Sequence, residues 1–375
     1  MNPCKELLEH GQSVWLDFIR RSLLTGGELE KLIRDDGLRG MTSNPAIFEK
    51  AIADSDDYDA AFAALAPQRL DAKTCFEQLA IEDIRMAADR LRPVYDQSKR
   101  RDGYVSLEVS PYLANETRPT IEEARRLWKA VDRPNLMIKV PGTEAGLPAI
   151  TTLIADGVNV NVTLLFSQDV YARVAEAFIA GLEKRTASEG DISTIASVAS
   201  FFISRIDSSV DKQLASKIQA TADAAAKEQL EKLIGKTAIA NGKQTYQRYL
   251  KIFSGARWEA LAHKGAQTQR VLWASTSTKN PKFSDVLYVE ELIGRDTVNT
   301  IPPQTLDAFR DHGKVRDTLI ENIAEADAVM RAVAAAGISI EKATADLVVD
   351  GVRLFAEAFD KLLAAIERKA KAHAA

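Results

Sequence analysis

Cysteine and histidine are scarce in this chain: two and four among 375 residues. Cys4 and Cys75 cannot build a disulfide framework or a four-thiolate zinc site. His10, His263, His312 and His373 stand too far apart for an i,i+4 ligand pair, so no histidine-built metal centre is expected. Excess charge is also missing. Lys and Arg total 49 against 53 Asp and Glu, a formal net charge of -4, which argues against a nucleic-acid binder. No apolar run approaches the roughly 18 residues that span a bilayer, so no membrane association is expected. The opening Met1-Asn2-Pro3-Cys4-Lys5-Glu6 lacks the basic-then-apolar layout of a signal peptide, and a reducing cytoplasm is the expected location. There is no 20–50-residue self-similarity of the kind repeat proteins show, no low-complexity tract and no linker rich in Pro, Gly or Ser. The chain is expected to form one decorated domain over residues 1–375.

What is present is a recurrence of short apolar runs bounded by turn residues. They are Ser13–Phe18, Gly40–Ser43, Val105–Val109, Leu136–Val140, Val158–Leu165, Ser197–Ile203, Arg270–Ser275 and Thr297–Ile301. Most are separated by segments of helical period. After Pro141-Gly142, Thr143-Glu144 offers a cap and an acidic first turn, Leu147, Ile150 and Ile154 mark one face, and Gly157 ends the helix. Another helix is expected from Ser167, with Val170, Val174, Phe178 and Leu182 on its face. Strands alternating with helices imply parallel pairing through right-handed crossovers. Eight such units predict an α/β fold of the (β/α)8 barrel type. A doubly wound open sheet is the alternative, but no Gly-rich phosphate turn follows the first strand. Two gaps exceed a single crossover and read as helical insertions, at about 45–103 and 207–269. The first contains the stripe Phe76, Ala80, Ile84, Ala87, Leu91. A helical extension occupies about 315–375, and its Val352, Phe355, Phe359, Leu362 and Ile366 form a face that must be buried, by preference within the same chain.

Strand parity gives the first functional hint. Ser106, Glu108 and Ser110 share one face of their strand, Asn159, Asn161 and Thr163 one face of theirs, and Trp15 and Asp17 one face of the first. Helices should cover the outside of a barrel, so the apolar faces meet them and the polar faces point inward. Barrel interiors are normally filled by branched aliphatics. Inward carboxylates and amides are costly unless hydrogen-bonded, so an inward polar layer suggests a site at the strand ends.

Lys139, in Leu136-Met137-Ile138-Lys139-Val140-Pro141, lies near the end of a buried-looking strand, where lysine is unusual. Its chemical use there is as an amine nucleophile. A neutral amine condenses with a ketone to an iminium, an electron sink for carbon–carbon cleavage, and burial favours the neutral form. The alternative is a strand-end lysine that snorkels to solvent. Asp17, Glu108 and Asn161 lie late on their strands on the polar faces. A buried carboxyl can serve both proton transfers of iminium chemistry, or these groups form an internal salt bridge. Asn44 either holds a substrate hydroxyl or starts the turn that Asn-Pro favours. Gly235-Lys236-Thr237 resembles the end of a P-loop, but the glycine that should open the motif is Leu230. The sequons at Asn115 and Asn161 mean nothing without secretion, and Lys99-Arg100-Arg101 reads as a solvated face.

Several blocks together resemble the transaldolase family: Gly40-Met41-Thr42-Ser43-Asn44-Pro45, Val105-Ser106-Leu107-Glu108-Val109, Met137-Ile138-Lys139-Val140-Pro141, Asn161-Val162-Thr163-Leu164-Leu165-Phe166-Ser167 and Ser200-Phe201-Phe202-Ile203-Ser204-Arg205. Their order and spacing agree from about Ser13 to about Pro303. Leu272-Trp273-Ala274-Ser275-Thr276-Ser277-Thr278-Lys279-Asn280-Pro281 resembles a longer bacterial subgroup. The resemblance implies a Schiff-base aldolase barrel in the non-oxidative pentose phosphate pathway. It would move a dihydroxyacetone unit from fructose 6-phosphate or sedoheptulose 7-phosphate to erythrose 4-phosphate or glyceraldehyde 3-phosphate. By family motif, Lys139 forms the Schiff base and Glu108 and Thr163 handle the catalytic water. Asp17 takes the C4-hydroxyl proton, and Asn44 and Asn161 bind substrate hydroxyls. Ser200, Arg205 and Ser275 hold the terminal phosphate. No metal or organic cofactor is implied, since the iminium is itself the electron sink. The better-known members carry a second arginine two residues after the serine matching Ser275. Here that residue is Ser277, with Lys279 as the candidate replacement cation. Sugar phosphates are the expected partners, and a homo-oligomer is left open.

Besides a metal-dependent aldolase, which the sparse histidines disfavour, two rivals accompany this reading. Fructose-6-phosphate aldolases resemble a shorter chain with the same chemistry, but they release the donor fragment and carry a tyrosine where this chain has Phe202. An inactive barrel serving as a binding or scaffold protein is the other, and the intact set Lys139, Glu108 and Asp17 speaks against it.

Overall fold

The computed structural model describes residues 2–374. Eight parallel strands close into a barrel in chain order. They are β1 (Gln12–Asp17), β2 (Gly40–Thr42), β3 (Tyr104–Glu108), β4 (Leu136–Pro141), β5 (Val160–Leu165), β6 (Ser197–Phe202), β7 (Arg270–Ala274) and β8 (Thr297–Ile301). All eight expected strands are present within about two residues of their expected ends, and the barrel is the predicted (β/α)8 type. The alternation survives because each strand has an apolar outer face, such as Val105 and Leu107 or Val160 and Val162, for a flanking helix to cover.

Two of the expected helices test local sequence logic. Ser167 caps the helix Gln168–Ala187, its side chain accepting from the Asp169 amide. The helix after β4 spans Gly146–Asp156 and ends at left-handed Gly157. Thr143 makes the expected capping bond, its Oγ1 accepting from the Gly146 amide at 3.1 Å, although the regular helix starts only at Gly146. The first long gap holds the helices Pro45–Ala53, Asp59–Leu65 and Ala72–Gln97. In the last of these, Phe76, Ala80, Ile84, Ala87 and Leu91 are all buried, as the stripe required. In the second gap the helix Ser204–Ala220 is followed by Ala224–Glu231, Thr237–Ile252 and Ala256–Ala262.

Ser13, Trp15 and Asp17 of β1 point inward, and the pairings carry that face around the barrel. Trp15 lies across the interior against Gly40, where a Cβ would sit 2.5 Å from its Cε2, so only glycine fits at that point of β2. Below it, the N-terminal end of the barrel is closed by ionic and polar groups. Arg270 donates to Asp102 Oδ1 at 2.9 Å and to Ser13 Oγ at 2.7 Å, and Ser13 in turn donates to Asp102 Oδ2 at 2.8 Å. With Trp15 and this cluster plugging one end, the open space lies at the other, where the inward carboxylates and Lys139 sit.

The chain ends in the helix Ile340–Ala374. Phe355, Phe359, Leu362 and Ile366 are buried within the chain and Val352 is half-buried. This helix contacts β5, the turn Pro111–Leu113 after β3, the helix Pro45–Ala53 after β2 and the helix Ser204–Ala220 after β6. All of these lie at the C-terminal ends of strands, so the helix crosses the barrel mouth. No described helix is long and apolar enough to cross a membrane.

Candidate active site

The pairings Glu108↔Lys139 and Lys139↔Asn161 set three polar residues side by side on β3, β4 and β5. Lys139 is almost sealed, its side chain 6% exposed and that of Glu108 5%. Nζ donates to the Ser43 carbonyl at 3.0 Å and stands 3.4 Å from Glu108 Oε2, an ion-pair distance. The snorkelling alternative therefore fails. Both Glu108 carboxyl oxygens and Thr163 Oγ1 are buried without a protein hydrogen-bond partner. Buried polar atoms are rarely left this way unless a water or ligand completes them. Burial pushes the Glu108 carboxyl upward from its ordinary pKa, against the lowering pull of Lys139, and nearby Asp17 adds to the rise. Asp17 is likewise raised by burial, opposed by its hydrogen bond from Thr42 and by the charges of Lys139 and Lys279.

A cleft of about 650 Å³ gathers Asp17, Asn44, Lys139, Thr163, Ser200, Arg205, Ser275 and Lys279 around its walls. Eight of the ten residues expected from sequence thus meet at one place. Glu108 and Asn161 do not line it but flank Lys139 on the neighbouring strands. Asn161 is fully buried, donating to Ser106 Oγ at 3.0 Å and accepting from Ser200 Oγ at 2.6 Å. It also cannot be a glycosylation acceptor at that depth. Ser200 was grouped with Arg205 and Ser275, but its hydroxyl proton is spent on Asn161, which ties it to the deep end beside the lysine. Asn44 combines both of its expected roles. Its Oδ1 accepts from the Ile47 amide at 3.0 Å and caps the helix Pro45–Ala53, while the residue also lines the cleft.

The rim differs in character. Arg205 follows Ser204, the first residue of the helix Ser204–Ala220, where backbone N–H groups favour anions. Its guanidinium lies over the Phe202 ring, 5.5 Å from the centroid. Ser204 and Ser275 hydroxyls are 2.9 Å apart, and Lys279 Nζ donates to Ser277 Oγ at 2.8 Å. Ser275 has a φ of 56°, a left-handed conformation that non-glycine residues adopt at some cost. Burial lowers the pKa of Lys279, and repulsion from Arg205 lowers it further, while Asp17 opposes both. Both cations line the same cleft.

The chain matches the family model described as transaldolase/fructose-6-phosphate aldolase over residues 14–366. It is 48% identical over 374 residues to "Transaldolase 2" of Nostoc sp. (strain PCC 7120), covering 99% of this chain and 98% of that one. The chain belongs to the transaldolase/fructose-6-phosphate aldolase family. "Transaldolase" of Thermobifida fusca is 48% identical over 373 residues, with 99% of each chain covered. "Transaldolase 1" of Streptomyces coelicolor is 46% identical over 365 residues, 97% of this chain and 94% of that one. The family's fold and the closed eight-strand barrel agree.

Sequence reasoning missed Thr42, Thr300 and Phe355, which also line the cleft. Thr42 Oγ1 donates to Asp17 Oδ1 at 2.7 Å and lies 2.6 Å from Thr300 Oγ1. Since the Thr42 proton goes to the carboxylate, Thr300 must be the donor of the second bond. Inward parity on β2 and β8 was the available signal for this pair. It makes a prediction. Thr42→Val removes the bond that holds the Asp17 pKa down, so the acidic limb of the activity profile moves to higher pH. A charge-assisted hydrogen bond of this kind corresponds to roughly one pH unit, and Thr42→Ser should restore the parent profile. A pH–rate profile of Thr42→Val superimposable on the parent's would remove Thr42 from this role. The P-loop lookalike, by contrast, is already filled: Asp211 accepts from the Gly235 amide at 3.0 Å and Asp207 from the Ala238 amide at 2.7 Å.

Proposed function

We propose that this protein is a transaldolase that moves a dihydroxyacetone unit between sugar phosphates in the non-oxidative pentose phosphate pathway, through a Schiff base on Lys139. The observation that carries the residue assignment is the sealed Lys139–Glu108 pair at 3.4 Å beneath a cleft walled by hydroxyls and rimmed by cations. Lys139 passes a proton to Glu108, 3.4 Å away, and its neutral Nζ adds to the donor's ketone carbon. Glu108, raised toward neutrality by burial, gives a proton to the carbinolamine oxygen, and Thr163 holds the departing water beside it. Asp17 then takes the proton of the C4 hydroxyl, the C3–C4 bond breaks, and the electron pair is stored in the enamine. Asn44 caps its helix through Oδ1, leaving its amide nitrogen for a substrate hydroxyl. Asn161 acts from below, fixing Ser200.

The terminal phosphate is assigned to Arg205, Ser275, Ser277 and Lys279. Arg205 offers a bidentate fork, while Lys279 replaces the second arginine of better-known members as a point charge. Borohydride reduction in the presence of fructose 6-phosphate should leave one stable adduct, and peptide mapping should find it on Lys139. An unchanged intact mass after reduction rules the mechanism out.

A further inference from the structure

We infer that Phe355 is a specificity-determining residue: it keeps solvent protons off the carbanionic carbon of the Schiff-base intermediate, so that the three-carbon unit waits for an aldehyde. The inference rests on the transaldolase reading and deepens it. After C3–C4 cleavage the enamine has two fates. In transfer, C3 forms a bond to the acceptor's carbonyl carbon and the carbonyl oxygen takes the proton held by Asp17. In release, C3 takes a proton from water, a second water adds to the iminium carbon, and the C–N bond breaks. Dihydroxyacetone leaves and the Lys139 amine returns. Only the second fate needs a solvent proton at C3.

Apart from Ala274, Pro302 and two aromatic rings, the cleft is poorly suited to exclude protons. Its walls are mostly hydroxyls, amides and charged groups, each able to order or relay water, and among the described lining residues only Phe202 and Phe355 are aromatic. Phe202 is held from behind by Phe166, with ring centroids 5.3 Å apart. Phe355 comes from the helix that crosses the mouth, and it is only 9% exposed although it faces a cleft open to solvent. A phenyl ring neither donates nor carries a proton.

The helix that carries this ring is fixed on both sides of it. One turn earlier, Gly351 lies so close to β5 that a Cβ there would sit 2.8 Å from Leu164 Cδ2. Leu164 is aimed at the helix by a bulge between Val162 and Leu165 and adopts a φ of 63°. One turn later, Phe359 packs edge-on against Phe76, with centroids 5.8 Å apart. Farther along, Lys369 Nζ donates to Asp59 Oδ1 at 3.0 Å. Gly351, Phe355 and Phe359 fall on one helical face at i,i+4 spacing. The ring is therefore placed by packing, and removing it opens the mouth without removing a chemical group.

The test uses the full chain with fructose 6-phosphate as donor. Two rates are measured: dihydroxyacetone release with no acceptor, and transfer to erythrose 4-phosphate. Phe355→Ala should raise the ratio of release to transfer roughly tenfold or more, because water exclusion is what closure of a site supplies. In deuterium oxide the released dihydroxyacetone should carry solvent deuterium. Phe355→Leu, which keeps most of the bulk, should give a smaller rise. A folded Phe355→Ala with an unchanged ratio overturns the inference. If that variant does not fold, an unchanged ratio in Phe355→Leu overturns it equally. A parent that transfers nothing at all would instead sink the reading on which this one rests.

Discussion

Lys139→Met should be folded and inert. Transfer is expected to fall by roughly 10⁴–10⁶-fold, the scale seen when a covalent nucleophile is removed and only binding and oriented groups remain. Methionine keeps an unbranched stem at a fully buried strand, so the barrel loses little packing. The charge balance also tolerates the change. Lys139 pulls the Glu108 pKa down against burial. Without it that lowering is lost and the carboxyl is neutral over more of the pH range. Lys139→Arg should be as inactive as Lys139→Met, since a guanidinium does not give up its proton to become a nucleophile. Parent-like three-carbon exchange by Lys139→Met would end the Schiff-base account, and a melting temperature far below the parent's would make the loss structural.

Much of this site was readable from residue order alone, because a parallel barrel converts sequence position into depth. Glu108, Lys139 and Asn161 were each placed late on a strand, and the pairings set them shoulder to shoulder. Asp17 followed from the same parity on β1. What strand parity cannot give is which polar side chain satisfies which. Ser200 and Asn161 each looked like a group for substrate, and the structure bonds them to one another. Ser106, read only as one of a polar face, holds Asn161 from the other side.

Phe355 was hidden for a different reason. On the C-terminal helix it is one member of a regular apolar stripe, and such a stripe looks the same whether it packs on a core or roofs a cleft. Like its neighbours Phe359, Leu362 and Ile366 it packs into the core, but it also lines the cleft. Only the path of the helix across the mouth separates the one residue that meets the substrate space from those that do not. The tie between Asp207 and the helix Thr237–Ile252 was equally invisible. Burial pushes the Asp207 carboxyl up to about 6, and it accepts from both the Ala238 amide and the Tyr288 hydroxyl. These contacts join segments 31 and 81 residues away, with no local pattern to announce them.

The other large effect concerns stability and lies at the opposite end of the barrel. Arg270 and Asp102 have side chains only 5% and 11% exposed and are paired at 2.9 Å. Arg270→Met should remove one partner and strand the Asp102 carboxylate, with Ser13 and a distant Trp15 Nε1, at 3.4 Å, as its remaining donors from this cluster. Breaking a buried pair from one side costs about 3–5 kcal/mol, mostly because the surviving charge has lost its partner. In a chain of this size that corresponds to roughly 4–6 °C in melting temperature. Removing both charges tells the two causes apart. In Arg270→Met with Asp102→Leu no charge is stranded, and much of the loss should return. Because Trp15 separates this plug from Lys139, the single variant should keep near-parental turnover at a temperature where it is fully folded. A single variant that melts with the parent, or a double variant that melts no higher than the single, would mean that the plug is not held by this ion pair.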